Sequence, residues 1–114
     1  MLFLLVQEVE GSPRIILKRQ IEKATKQGYR LKTGVECEYF LINPDGTAIS
    51  DPFDTQEKPC YDQQALMRRY DVISEICDSM NELGWGPYQN DHEDANGQFE
   101  MNWDYADAMV TADR

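Results

Sequence analysis

The sequence predicts an α+β fold in which antiparallel strands carry metal-binding glutamates and helices pack on one face. Three observations predict it. Residues 29–42 and 98–103 alternate between apolar and polar positions, residues 13–27 and 62–83 repeat their apolar positions every three or four residues, and turn-forming clusters separate these stretches. With 114 residues, 41% of them hydrophobic and 28% charged, the chain has the size and composition of one globular unit with one core.

Each element follows from its residues. Met1-Leu2-Phe3-Leu4-Leu5-Val6 is apolar on both faces and reads as a buried strand cut short at its start. It lacks the basic leader and cleavage site of a signal peptide and is far shorter than the roughly 20 residues that span a bilayer, so a cytoplasmic protein without a membrane partner is expected. Ser12-Pro13 supplies an N-cap and a proline at the first helical position. The helix should run to about Gln27, stop at Gly28, and bury Ile16, Leu17, Ile21 and Ala24.

From 29 to 42 the period is two, with Val35, Cys37, Tyr39 and Leu41 on one face and Glu36, Glu38, Phe40 and Ile42 on the other. A single buried strand is expected. Asn43-Pro44-Asp45-Gly46 is a turn, and residues 51–59 lack periodicity and read as an ordered surface loop. Asp62 caps a long helix through about Leu83, closed by Gly84. A short strand near 87–91, the turn Asp94-Ala95-Asn96-Gly97 and a strand at 98–103 follow, and Asp104 is placed to cap a final helix containing Ala106, Met109 and Val110.

The 21 acidic residues against 11 basic ones give a net charge of -10, which repels phosphate backbones and excludes nucleic acid as a natural partner. Cys37, Cys60 and Cys77 share no metal-ligand spacing and read as reduced thiols. The acids matter by their placement. Two carboxylates at i and i+2 on a strand project from one face about 7 Å apart, a distance that one or two cations bridge. Glu36 and Glu38 meet that condition, Glu100 shares a face with Gln98 and Asn102 on a second strand, and Glu93 precedes the turn that returns to the same side. Such a set of hard oxygen donors suits Mg²⁺ or Mn²⁺. The bland alternative for any Glu-x-Glu is a solvated edge strand with salt bridges to Lys or Arg. A calcium-binding helix-loop-helix is excluded by spacing: with Gly97 sixth, the first and twelfth ligands fall on His92 and Trp103. A single histidine argues against zinc.

Two segments resemble those of a known family. Gly34-Val35-Glu36-Cys37-Glu38-Tyr39-Phe40-Leu41 resembles the G-x-E-x-E-[FY]-F-L strand of glutamine synthetases, and Glu93-Asp94-Ala95-Asn96-Gly97-Gln98-Phe99-Glu100 resembles their E-x3-G-Q-x-E segment. The wording from about Pro13 to Arg114 is most similar to the type III branch. The resemblance implies that Glu38, Glu93 and Glu100 hold the Mg²⁺ or Mn²⁺ nearest the glutamate substrate and that Glu36 is one ligand of a second metal at the ATP phosphates. It implies a ligase that makes γ-glutamyl phosphate from ATP and glutamate and lets ammonia displace the phosphate. Catalytic roles pass to Glu93, which would face the ammonium pocket, and to Tyr61, which matches a family tyrosine there and is otherwise read as a packing residue.

The departures shape the expectation. The histidine and further glutamate of the second metal, the substrate arginines and most ATP contacts lie beyond Arg114 in the family. His92 is not that histidine and reads as a partly exposed loop residue, and Tyr88 receives no ATP role. Residues 1–11 are therefore expected to be a remnant of the region before the catalytic domain, and 12–114 its truncated N-terminal part, inactive alone, from an enzyme that forms homo-oligomeric rings. Two rival readings stay open: a ligase for another amine such as methylamine or a polyamine, and a non-catalytic metal-binding interaction module.

Overall fold

A computed structural model of the chain describes residues 9–114, so the strand expected at residues 1–6 lies outside the described residues. Where one core was expected, the chain divides into two compact units. One comprises the described residues up to Thr33 with Tyr105–Arg114, the other Gly34–Asp104.

In the first unit, helix α1 (Pro13–Lys26) begins as the Ser12-Pro13 pair predicts, although the Ser12 side chain makes no capping hydrogen bond. Gly28 ends it at φ 85°, a left-handed conformation that glycine adopts without strain, while its N–H donates to the Thr25 carbonyl at 3.0 Å. The expected burial of its stripe does not occur. No residue of α1 is buried, and Leu17, Ile21 and Ala24 instead line an apolar cavity of about 490 Å³ with Leu31, Ala108 and Met109. Strand β1 (Lys32–Thr33) pairs antiparallel with β5 (Ala106–Asp107), and the last helix, here called α4, spans Ala108–Asp113. Asp104 therefore does not cap that helix and Ala106 is not in it. The extended pairing of Ala106 and Asp107 with β1 delays the helix, and Asp107 takes the N-cap position. Its carboxylate is already engaged by the fork of Arg30 at 2.9 and 2.6 Å, so it caps no helical N–H.

The second unit holds the apolar core. Strand β2 (Glu36–Phe40), β3 (Pro87–His92) and β4 (Gln98–Trp103) form an antiparallel sheet in the order β2-β4-β3. The stretch 29–42 is thus two strands rather than one, because β1 and β2 find partners in different sheets. Nor is β2 buried: it is an edge strand paired only with β4, and all of its residues except Tyr39 are exposed.

The expected long helix is likewise divided. The Asp62 carboxylate accepts from the Gln64 N–H at 2.9 Å to open α2 (Gln63–Arg68), Arg69 breaks the helical path at φ -117° and ψ 16°, and α3 (Tyr70–Glu82) continues to Gly84 at φ 71°. Ile73 and Met80 of α3 pack on Phe99, Met101 and Trp103 of β4, with Tyr39, Leu66 and Ile76 at the margin. Alternation along β4 then turns Glu100 and Asn102 to the opposite face, where they are nonetheless buried because β4 is the central strand. The loop at 51–59 is ordered by buried acids: Asp51 pairs with Arg68 at 2.6 Å, and Asp54 is almost fully enclosed.

Candidate metal centre

The face of the sheet turned away from α3 is acidic. Register places Glu38 opposite Glu100 and Glu100 opposite Asp91, a row of three carboxylates across three strands. Adjacent strands lie about 4.8 Å apart, so these side chains are neighbours. The next row is Glu36, Asn102 and Gln89, which puts Glu36 two residues along the edge from Glu38. Glu93 leaves the end of β3 with its N–H donating to the Gln98 carbonyl at 2.9 Å, on the same side and diagonal to Glu100. The structure thus brings Glu38, Glu93 and Glu100 into one neighbourhood and sets Glu36 at its margin.

Charge crowding is visible at Glu93. A hydrogen bond to Glu100, burial, and repulsion from Glu100, Glu38 and Asp94 push its carboxyl up to about 7. Amide donors supply part of the compensation: Gln98 Nε2 donates to Glu38 Oε2 at 2.6 Å, and Gln89 Nε2 to Asp91 Oδ2 at 2.5 Å. Among the described residues no three His, Cys, Asp or Glu side chains stand close enough together to grip an ion as placed. The side chains gathered here are carboxylate oxygens, hard donors of the kind that divalent cations such as Mg²⁺ and Mn²⁺ take.

Tyr61 reaches the rim of this face through unusual backbone. It has φ 66°, rare for a non-glycine residue, with its N–H donating to the His92 carbonyl at 2.7 Å and its ring exposed. Cys60, Glu93 and Asp91, in that order of influence, raise its hydroxyl above the ordinary tyrosine range, which sets the phenol beside the acids. Cys60 next to it is raised by burial and by contact with the Asp94 carboxylate.

Two features escaped the sequence reading. Asp91 belongs to the row, and its signal was available: Gln89, Asp91 and Glu93 alternate along 87–93 as Gln98, Glu100 and Asn102 do along β4. His92 is a buried strand residue, not a partly exposed loop residue. Its Nε2 lies 2.6 Å from Asp54 Oδ2, its Nδ1 lies 2.8 Å from the Pro59 carbonyl, and its ring meets Phe99 edge-on at 5.2 Å. No local pattern links positions 54 and 92.

Comparison with known proteins agrees on a family. The family described as "Glutamine synthetase, catalytic domain" matches residues 10–114. The chain is 71% identical over 106 residues to a glutamine synthetase of Rhizobium meliloti (strain 1021), covering 93% of this chain and 24% of that protein. It is 41% identical over 106 residues to a glutamate–methylamine ligase of Methyloversatilis universalis, covering 91% and 24%. Two similar solved structures are titled "GmaS/ADP complex-Conformation 1", with TM-score 0.86, 73% identity and coverage of 90% and 24%, and "Apo GmaS without ligand", with TM-score 0.90, 68% identity and coverage of 96% and 26%. The chain spans about a quarter of the length of the relatives it matches.

Proposed function

Since the chain belongs to the glutamine synthetase catalytic-domain family, we propose that it is the N-terminal part of the catalytic domain of an ATP-dependent glutamate–amine ligase, bearing the site for the metal nearest glutamate. The observation that carries this reading is the carboxylate row Glu38–Glu100–Asp91 with Glu93 against Glu100. In this reading Glu38, Glu93 and Glu100 hold Mg²⁺ or Mn²⁺, Asp91 adds a fourth acid within reach, and Glu36 serves a second metal toward the ATP phosphates. Bound divalent cations supply charge neutralisation to the phosphate oxygens during phosphoryl transfer.

The chain's own residues then act on the amine. Glu93 and the Tyr61 hydroxyl face an incoming ammonium, whose positive charge the acids attract. Loss of a proton from that ammonium to the Glu93 carboxylate frees the nitrogen lone pair. The nitrogen bonds to the γ-carbonyl carbon of γ-glutamyl phosphate, the carbon–oxygen bond to phosphate breaks, and the departing phosphate takes the second proton that the nitrogen sheds in becoming an amide. The first reading of the acceptor is ammonia, which makes the parent a glutamine synthetase, in our reading of the type III branch. Residues 12–114 would be the start of its catalytic domain, with cytoplasmic location and homo-oligomeric rings following from the family. The second reading is methylamine, favoured by the 41% identity to the glutamate–methylamine ligase.

Two measurements test this. Heat unfolding of the chain across a Mn²⁺ titration should show a saturable rise in midpoint that Glu38→Ala abolishes, because a ligand of the native state stabilises it by linkage. An identical rise in Glu38→Ala would remove the metal assignment. For the acceptor, a longer protein containing this chain should be given ATP, glutamate and equal ammonium and methylamine. Mass spectrometry showing glutamine in excess supports the first reading, and γ-glutamylmethylamide in excess the second.

A further inference from the structure

A buried polar assembly is built on His92, which alternation along β3 turns to the sheet face opposite the carboxylate row, and the proposed reaction does not use it. At its centre is Asp54, whose side chain and that of His92 are both fully enclosed. Asp54 Oδ2 lies 2.6 Å from His92 Nε2 and accepts from the Gly97 N–H at 2.5 Å, while Oδ1 accepts from Asn96 Nδ2 at 3.0 Å. On the far side of the ring, the Pro59 carbonyl at 2.8 Å only accepts, so Nδ1 carries a hydrogen.

These contacts join three pieces of chain, the first of them distant in sequence from the other two. Asp54 and Pro59 belong to the loop that ends in Cys60 and Tyr61, His92 closes β3, and Asn96 and Gly97 form the turn into β4. Glu93 is held between the last two. Tyr61 is tied to the same point, because its N–H donates to the His92 carbonyl at 2.7 Å. We infer that Asp54 and His92 are positioning residues for the cation site: through the His92 ring and the Asn96-Gly97 turn they fix the Glu93 carboxylate against Glu100, and through Pro59 they fix the Tyr61 backbone beside it. The inference rests on the reading of Glu93 as a cation ligand.

The test is Mn²⁺ affinity, measured on the chain by water-proton relaxation and set beside the melting midpoint. Asp54→Asn removes the charge of the hub and should weaken Mn²⁺ binding about 10-fold, in the range seen when groups that orient metal ligands are lost. Asn96→Ala removes one strand of the clamp and should weaken it about 3-fold, by proportion to that effect. If Asp54→Asn fails to fold, Asn96→Ala decides alone. Asp51→Asn breaks the ion pair to Arg68 in the same loop without touching the turn. It should lower the midpoint while leaving affinity within about twofold, a difference small enough to be ordinary context dependence. Unchanged affinity in the Asp54 and Asn96 variants would overturn the inference and leave the metal site standing. Equal weakening by Asp51→Asn would also overturn it, since loop stability alone would then explain the effect. No Mn²⁺ binding by the unaltered chain would overturn the metal reading and this inference with it.

Discussion

The Glu93 carboxyl is pushed up to about 7 by a hydrogen bond to Glu100, by burial and by three neighbouring acids, so between its unfolded value near 4.3 and about 7 the folded chain binds more protons there than the unfolded one. Its contribution to stability is complete below the unfolded value and is lost as pH rises through about 7. The metal-free chain should therefore lose melting midpoint from this source between roughly pH 4.5 and 7.5, a window set by the two protonation values. Saturating Mn²⁺ should flatten the loss, and Glu93→Gln should remove both the loss and the effect of Mn²⁺. A midpoint that rises monotonically with pH in the metal-free chain, equally in Glu93→Gln, would contradict this. The sidedness of the acids within each strand was legible in the sequence. A strand's period of two put Glu36 and Glu38 on one face of their strand and Glu100 with Gln98 and Asn102 on one face of another, while the register that sets the two strands side by side was not legible. Nor was the place of Asp54, because its partners His92 and Gly97 lie 38 and 43 residues away and hydrogen bonds of that range leave no local periodicity.

Elements tell a different story, because their approximate places were legible while their breaks, partners and burial were not. Ile21 on α1 and Ile73 on α3 both sit on apolar helical stripes, yet Ile73 is 3% exposed and no residue of α1 is buried. Truncation should separate them. Ile73→Ala should cost about 2–5 kcal/mol of chain stability by urea unfolding, and Ile21→Ala less than about 1 kcal/mol, because only the first opens a cavity in a packed core. Equal losses would mean that α1 is as deeply packed as α3. Pairing was the other blind spot: alternation ran through 29–42 without interruption, and nothing local reported that β1 would leave for β5 while β2 paired with β4. Turn glycines were read correctly, and Gly97 shows their weight. At φ 74° a side chain is already disfavoured, and a Cβ there would lie 2.6 Å from Ile49 Cγ2. Gly97→Ala should cost about 1–3 kcal/mol, and by displacing the turn whose N–H donates to the Asp54 carboxylate it should also weaken Mn²⁺ binding.

Across the whole chain, the division into two units leaves the candidate site residues together in one of them. Glu36, Glu38, Tyr61, Asp91, Glu93 and Glu100 all fall within Gly34–Asp104. So do the core residues Ile73, Met80, Phe99, Met101 and Trp103, the Asp51–Arg68 ion pair and the Asp54–His92 assembly. A piece of this size is near the lower limit at which a core outweighs chain entropy, so any ligand specific to its folded form carries a large share of its stability. Expressed alone, Gly34–Asp104 should unfold with a shallow transition without metal and a sharper, later one with saturating Mn²⁺, and it should bind Mn²⁺ within about threefold of the full chain, because everything that aims the carboxylates travels with it. The 10 excess negative charges of the full chain add repulsion that salt screens, so both forms should also gain midpoint as ionic strength rises from low to physiological values. Loss of Mn²⁺ binding in a segment that still unfolds cooperatively would show that α1, β1, β5 or α4 contributes to aiming the acids. The site would then belong to the longer domain, not to this sheet and its helices.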